Sequence, residues 1–246
     1  MGHAMRRASR QNTVSTFSPL DLSPAAWYDA SVSASITESG GAVSQWNDLS
    51  GNTRHVLQGT AGAKPTTGAN IQNGLNVLTF DGGDGLVSGA VSIDSDLTYV
   101  SVFKVTTTTN YVMPGIMMGT SVGNTRPLDR WHSTGANPIF IQDAVVGTSG
   151  IDLRTGWGSF AVWTLTYSKT VSTQPRVVEY KNNVQQSSFN DTKVHQVANQ
   201  LIGVGARPDL VTTLNGQIAE AMIFPSILGS TDLASIQTYL ATKWGL

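Results

Sequence analysis

Only three glutamates occur in the chain, Glu38, Glu179 and Glu220. Retaining hydrolysis of a glycosidic bond needs an acid and a nucleophile whose carboxyls lie about 5 Å apart. The three glutamates fall in three different segments, and none has an Asp or Glu two or four residues away. A strand therefore cannot set a second carboxylate beside any of them on one face. Glu220 lies in an apolar run, and strict alternation puts it on one face with Ile218 and Met222. A carboxylate there needs a partner or a raised pKa. We expect it to be a structural hydrogen-bond anchor, and we assign no catalytic residue.

Other reactive patterns are sparse. Gly119-Thr120-Ser121-Val122-Gly123 has the spelling of a nucleophile elbow, but Asn124 to Pro127 cannot open the helix an elbow requires, so a turn is expected. His3, His55, His132 and His195 are scattered, with no two-histidine metal spacing. Asp81, Asp84, Asp94 and Asp96 form short-range acid pairs on loops. Calcium is the alternative reading of such oxygen ligands. Turns closed by Asp side chains are the preferred one, so no metal or cofactor is assigned. There is no phosphate-binding loop and no dinucleotide fingerprint.

The most ligand-like stretch is Arg126-Pro127-Leu128-Asp129-Arg130-Trp131-His132. It gathers two cations that can hydrogen-bond, a carboxylate, an aromatic ring and an imidazole. Sugar recognition uses such groups, with the ring face against C–H bonds. Trp157, between Gly156 and Gly158, is a second aromatic platform. The expected glycan-binding residues are therefore Arg126, Asp129, Arg130, Trp131, His132 and Trp157. The competing reading is that both tryptophans are core residues.

These side chains must be carried by strands. Leu97 to Thr106 and Phe160 to Tyr167 are rich in β-branched and aromatic residues. In the second, Ala161, Trp163, Leu165 and Tyr167 share one face, and Phe160 and Val162 the other. Shorter strands are expected at 43–46, 77–80, 115–118, 138–142, 176–180, 200–204 and 217–224. Turn chemistry separates them, including Gly40-Gly41, Ser50-Gly51-Asn52 and Gly82-Gly83-Asp84-Gly85. Lys181-Asn182-Asn183 closes a hairpin to Val184–Ser187. One helix ends the chain: Ser230 or Thr231 can cap it, Leu233, Ile236, Leu240 and Trp244 make its apolar stripe, and Gly245 stops it. The pattern predicts an all-β, two-sheet antiparallel jelly-roll sandwich with one short C-terminal helix.

The chain divides at residue 18. Residues 1–18 form a polar, basic arm with Arg6, Arg7 and Arg10, read either as a disordered terminus or as an arm that docks on a larger assembly. Residues 19–246 form the sandwich domain. Charged residues make up only 13% of the chain, against roughly 25% on average, and the net charge is −1. That balance argues against nucleic-acid binding through the overall field. No apolar run reaches the ~18 residues of a spanning helix, so no membrane partner is expected. The chain has no cysteine, hence no disulfide framework. No apolar segment follows the arginines, so no secretory signal is expected.

Three segments in order carry a family resemblance. The first is Leu22-Ser23-Pro24-Ala25-Ala26-Trp27-Tyr28-Asp29-Ala30-Ser31, with Val43-Ser44-Gln45-Trp46-Asn47-Asp48-Leu49-Ser50-Gly51-Asn52 after it. The second is Asn73-Gly74-Leu75-Asn76-Val77-Leu78-Thr79-Phe80-Asp81-Gly82, running into Asp84-Gly85-Leu86. The third is Asn215-Gly216-Gln217-Ile218-Ala219-Glu220-Ala221-Met222-Ile223-Phe224, followed by the helix ending Tyr239-Leu240-Ala241-Thr242-Lys243-Trp244-Gly245-Leu246. Together they resemble the laminin-G-like branch of the concanavalin A-like lectin and glucanase superfamily, in the form found in phage virion proteins. Hydrolases of that superfamily cluster two carboxylates on one strand, which this chain does not do.

The resemblance implies a non-enzymatic phage virion surface protein: a fibre, spike, minor tail or capsid-decoration subunit that binds host surface polysaccharide. Assembly in the host cytoplasm, docking on other virion proteins through the arm, and a homo-oligomer such as a trimer go with that reading. The alternative is a stand-alone bacterial carbohydrate-binding or adhesion module at the cell surface.

Overall fold

The computed structural model describes residues 17–106, 115–119, 129–130, 138–141, 144–148, 158–170, 172–173, 175–190 and 200–246, with the backbone alone for 129–130, 138–141 and 144–148. In chain order the strands are β1 (Ala26–Asp29), β2 (Ile36–Ser39), β3 (Ala42–Trp46), β4 (Val56–Leu57), β5 (Ile71–Gln72) and β6 (Leu75–Asn76). Next come β7 (Leu78–Asp81), β8 (Leu86–Ser88), β9 (Leu97–Val105), β10 (Ile116–Gly119), β11 (Asp129–Arg130) and β12 (Pro138–Ile141). The last are β13 (Ala144–Thr148), β14 (Ala161–Tyr167), β15 (Val177–Lys181), β16 (Val184–Phe189), β17 (Leu201–Val204) and β18 (Asn215–Phe224). A single α-helix, α1, spans Ser230–Trp244 among the described residues.

Two sheets dominate. A seven-stranded sheet runs β1-β18-β9-β14-β15-β16, with β7 also on β18, and a six-stranded sheet runs β10-β17-β8-β4-β3-β2. Their strand pairings are antiparallel throughout. β11, β12 and β13 form a small three-stranded sheet, and β5 and β6 pair separately. The molecule is thus the expected all-β two-sheet sandwich with one C-terminal helix. Among the described residues no helix is long and apolar enough to cross a membrane.

Alternation decides which side chains meet. One face of the larger sheet supplies Tyr99, Phe103, Trp163, Leu165 and Tyr167 to the core between the sheets, where they join Tyr28, Trp46 and Phe80. Its other face gives Val100, Val102, Val162, Met222 and Phe224 to a second core, closed by Leu233, Ile236, Leu240 and Trp244 of α1. Burying each such side chain contributes roughly 1.5–3 kcal/mol. The helix therefore covers the outer face of the larger sheet.

Local signals hold in most places. Asn182 and Asn183 have φ of 50° and 61°, the left-handed pair that a two-residue turn needs between β15 and β16. Gly245 stops α1 with φ 66°, its N–H bonded to the Ala241 carbonyl. The helix start differs from expectation. Gly229 is the N-cap, and neither Ser230 nor Thr231 caps with its side chain, because both already lie inside the first turn.

The face of Glu220 differs too. A bulge in β18 against β9 pairs Ile218 with Phe103 but Glu220 with Val102. Ile218 joins the inter-sheet core, whereas Ala219 and Met222 belong to the core under the helix. The extra residue breaks strict alternation and turns Glu220 towards the helix.

Candidate functional site

The Glu220 side chain is fully buried, and four donors converge on its carboxylate. Oε1 accepts from Trp27 Nε1 at 2.7 Å and from the Tyr239 hydroxyl at 3.0 Å. Oε2 accepts from Lys243 Nζ and from Trp244 Nε1, each at 2.8 Å. Lys243 also pairs with Asp29, so one ammonium bridges two carboxylates from β1 and β18. Burial pushes the Glu220 carboxyl above its usual range and Asp29 adds to that, while Lys243 and the Trp244 indole pull it back. With every lone pair committed and no solvent access, this carboxylate ties α1 to the sheet, as the sequence reading expected. A hollow of about 900 Å³ runs along α1 beside Phe17, Thr238 and Tyr239 without reaching it.

Several other carboxylates are likewise engaged. Glu179 is fully buried on β15, accepting from Trp163 Nε1 at 2.8 Å and Ser187 Oγ at 2.9 Å. Asp81 closes its own turn through Gly83 N at 2.8 Å, and Asp84 accepts from Asp81 N at 2.9 Å. Burial raises the Asp84 carboxyl to about 6. Asp94 and Asp96 depart from the expected local turns: Asp96 accepts from Lys169 N at 2.7 Å, and Asp94 pairs with the Lys169 ammonium. They link the approach to β9 with the turn after β14. Among the described residues no three His, Cys, Asp or Glu side chains are grouped to hold a metal ion.

Asp48 is the busiest acid outside the helix-covered face. Its Oδ1 accepts from Trp27 N and Ser50 N, both at 2.9 Å. Its Oδ2 accepts from Ser50 Oγ at 2.8 Å and Arg54 N at 3.0 Å. His55 Nδ1 accepts from the Asp48 backbone N–H at 3.0 Å, so this histidine helps hold the loop. The segment Asp48-Leu49-Ser50-Gly51-Asn52 thus earns its spacing by ordering the β3–β4 loop against β1.

That loop forms one wall of a cleft of about 530 Å³ at the end of the sandwich. Antiparallel pairing of β1 with β18 (Ala26 opposite Ile223) and of β9 with β18 (Thr98 opposite Phe224) brings residues 20–25, 92–95 and 225 to one end of the sheet. The β3–β4 loop adds Ser50, Asn52 and Arg54. Arg54 Nη1 donates to the Ala25 carbonyl at 2.6 Å. No carboxylate among the described residues pairs with its guanidinium. Asn52 Nδ2 donates to the carbonyls of Pro24 and Ala25, both at 3.1 Å, leaving its Oδ1 open. Ser95 Oγ is buried and has no hydrogen-bond partner among the described residues. Sequence reasoning missed this site. Its only local signal is the turn spacing around Asn52.

The sequence-predicted ligand residues are less visible. Arg126, Trp131, His132 and Trp157 lie outside the described residues, as do Arg6, Arg7 and Arg10 of the arm and residues 120–123 of the elbow-like spelling. Asp129 and Arg130 form β11, paired with Phe140 and Ile139 of β12, and only their backbone is described.

No protein-family model and no curated protein matches this chain. Solved structures do. A Trypanosoma rangeli sialidase in complex with 2,3-difluorosialic acid superposes with a TM-score of 0.60 at 11% identity over 90% of this chain. The chain spans only 33% of that sialidase's length. Domain 4 of AbnA, an extracellular arabinanase of Geobacillus stearothermophilus, in complex with arabinotriose, gives 0.59 at 15% identity, over 86% of this chain and 97% of that one. The binding domain of botulinum neurotoxin DC, in complex with rat synaptotagmin II, gives 0.59 at 12% identity, over 91% and 52%. The fold is a concanavalin A-like sandwich. At these identities the likeness speaks for the sandwich alone, which several unrelated functions share.

Proposed function

We propose that this chain is a non-catalytic carbohydrate-binding sandwich displayed on a phage virion, where it meets host surface glycans. The observation that carries the binding part is the overlay on arabinanase domain 4, which uses almost the whole of that arabinotriose-bound domain. The non-catalytic part rests on Glu179 and Glu220, both buried and both spent on indole and hydroxyl donors. The virion placement rests on the three-segment resemblance and on the basic arm with Arg6, Arg7 and Arg10. The same arabinanase overlay favours a second reading, a carbohydrate-binding module of a bacterial surface protein.

Two measurements separate these readings. The purified protein is expected to sediment with host cell-envelope polysaccharide and to be detected by mass spectrometry in purified particles. Sedimentation without presence in particles selects the bacterial module. Absence of both overturns the proposal. New reducing ends after prolonged incubation with the polysaccharide would overturn its non-catalytic part.

A further inference from the structure

The end cleft differs from every other polar site described above in having groups still without partners. Ser95 Oγ is sequestered from water yet has no hydrogen-bond partner among the described residues. A buried hydroxyl in that state costs free energy until something accepts from it or donates to it. Arg54 keeps one side-chain hydrogen bond, to Ala25, and no carboxylate among the described residues forms an ion pair with its guanidinium. Asp94, on the same rim, is already neutralised by Lys169. Among the side chains that line the cleft, the charge left unpaired is therefore that of Arg54. The Arg54 main chain is itself fixed, its N–H on Asp48 at 3.0 Å and its carbonyl accepting from the Tyr28 hydroxyl at 2.5 Å. A cation on so firmly held a backbone is pre-organised for an incoming anion.

The rest of the lining narrows the ligand. Asn52 offers an open amide oxygen, Ser92 a second hydroxyl, and Ile93 and Pro225 an apolar wall. Scattered acceptors and hydroxyls beside one apolar side match a polyhydroxylated ring better than a flat apolar molecule. A cleft of about 530 Å³ is of the size that small ligands occupy.

We propose that this cleft binds an acidic saccharide, its carboxylate on Arg54 and its ring hydroxyls on Ser92 and Asn52. The proposal rests on the carbohydrate-binding reading above and gives it a place and a ligand class. It also predicts discrimination, because a neutral sugar leaves the Arg54 charge unanswered.

The test is calorimetric titration of the full chain with a galacturonate oligosaccharide, with its neutral galactose counterpart, and with inorganic phosphate. Arg54→Gln and Ser92→Trp are compared with the parent. Ser92 is exposed and makes no hydrogen bond among the described residues, so a tryptophan there fills the cleft without undoing a contact. The expected result is binding of the acidic sugar over both controls, weakened about tenfold or more by Arg54→Gln, the scale of lost charge-assisted bonds. Ser92→Trp abolishes it while the melting temperature stays put. Equal binding of the neutral sugar, or acidic-sugar binding indifferent to Ser92→Trp, overturns this inference and leaves the carbohydrate reading standing. Binding of phosphate alone reduces the cleft to an anion site and overturns it too. No binding of any saccharide, here or to envelope polysaccharide, overturns both.

Discussion

Glu220 and Arg54 are both charged groups on the frame built around β1 and β18, yet they stand in opposite states. Around Glu220 four donors meet one carboxylate, and Lys243 balances both Glu220 and Asp29. The Arg54 guanidinium makes one hydrogen bond and has no acidic partner among the described residues. The contrast separates two uses of polar chemistry. A buried group with every bond satisfied holds the fold, and a fixed group with bonds left over in an open cleft is available to a ligand.

The strongest way to break this comparison is at the helix. Glu220→Ala leaves the Lys243 ammonium and the Trp27 and Trp244 indoles facing a gap. Removing one partner of a buried ion pair costs about 3–5 kcal/mol. In a domain of this size that lowers the melting temperature by about 10 °C or more, measured by calorimetry. Saccharide affinity of the protein that remains folded is expected to be unchanged. A loss of affinity with full stability would make Glu220 a functional group after all.

Asp48→Ala tests the join between the two regions. It removes an acceptor of four hydrogen bonds, and a loss of about 2 kcal/mol is expected in urea unfolding. Because Asp48 holds the Arg54 backbone, this variant is also expected to weaken saccharide binding, by about threefold to tenfold, through a looser β3–β4 loop. Destabilisation with undiminished binding would detach the cleft from its supporting loop.

Asp84 supplies the smallest effect and the opposite sign. It is a buried carboxylate whose one donor among the described residues is Asp81 N, with no cation paired to it there. Burial lifts it from 3.8 to about 6, so the folded chain holds a proton that the unfolded chain releases in between. Stability from this group is therefore greatest below the unfolded value, declines as pH rises from there to about 6, and levels off above it. Asp84→Asn keeps an acceptor for Asp81 N without the charge. It is expected to raise the melting temperature by about 2–4 °C at pH 7.5 and to change little at pH 4. Equal effects at both pH values would show that charge burial is not the cause.

The fold was legible wherever periodicity repeats. Alternation in Phe160 to Tyr167 and the stripe Leu233, Ile236, Leu240 and Trp244 each predicted the faces now buried in the two cores. Alternation failed at Ile218 and Glu220, because a single bulged residue carries no local mark in the sequence. The anchoring role of Glu220 was still readable, since an isolated carboxylate in an apolar strand demands partners. Their identities were not, because Trp27 and Trp244 lie 193 and 24 residues away. The cleft was illegible for the same reason. Its walls come from four segments that only the pairing of β1, β9 and β18 brings together. The gathered charges and ring of Arg126 to His132 drew attention as a local pattern, whereas Arg54 and Ser95 have nothing unusual beside them.

The most direct test of the division between fold and recognition is an amide chemical-shift map of the ¹⁵N-labelled protein titrated with the acidic oligosaccharide. Shifts are expected to centre on Ser23, Asn52, Arg54 and Ser95, with the Trp27 and Trp244 indole signals unmoved. Shifts centred on those indoles and on Lys243, with the cleft silent, would contradict it.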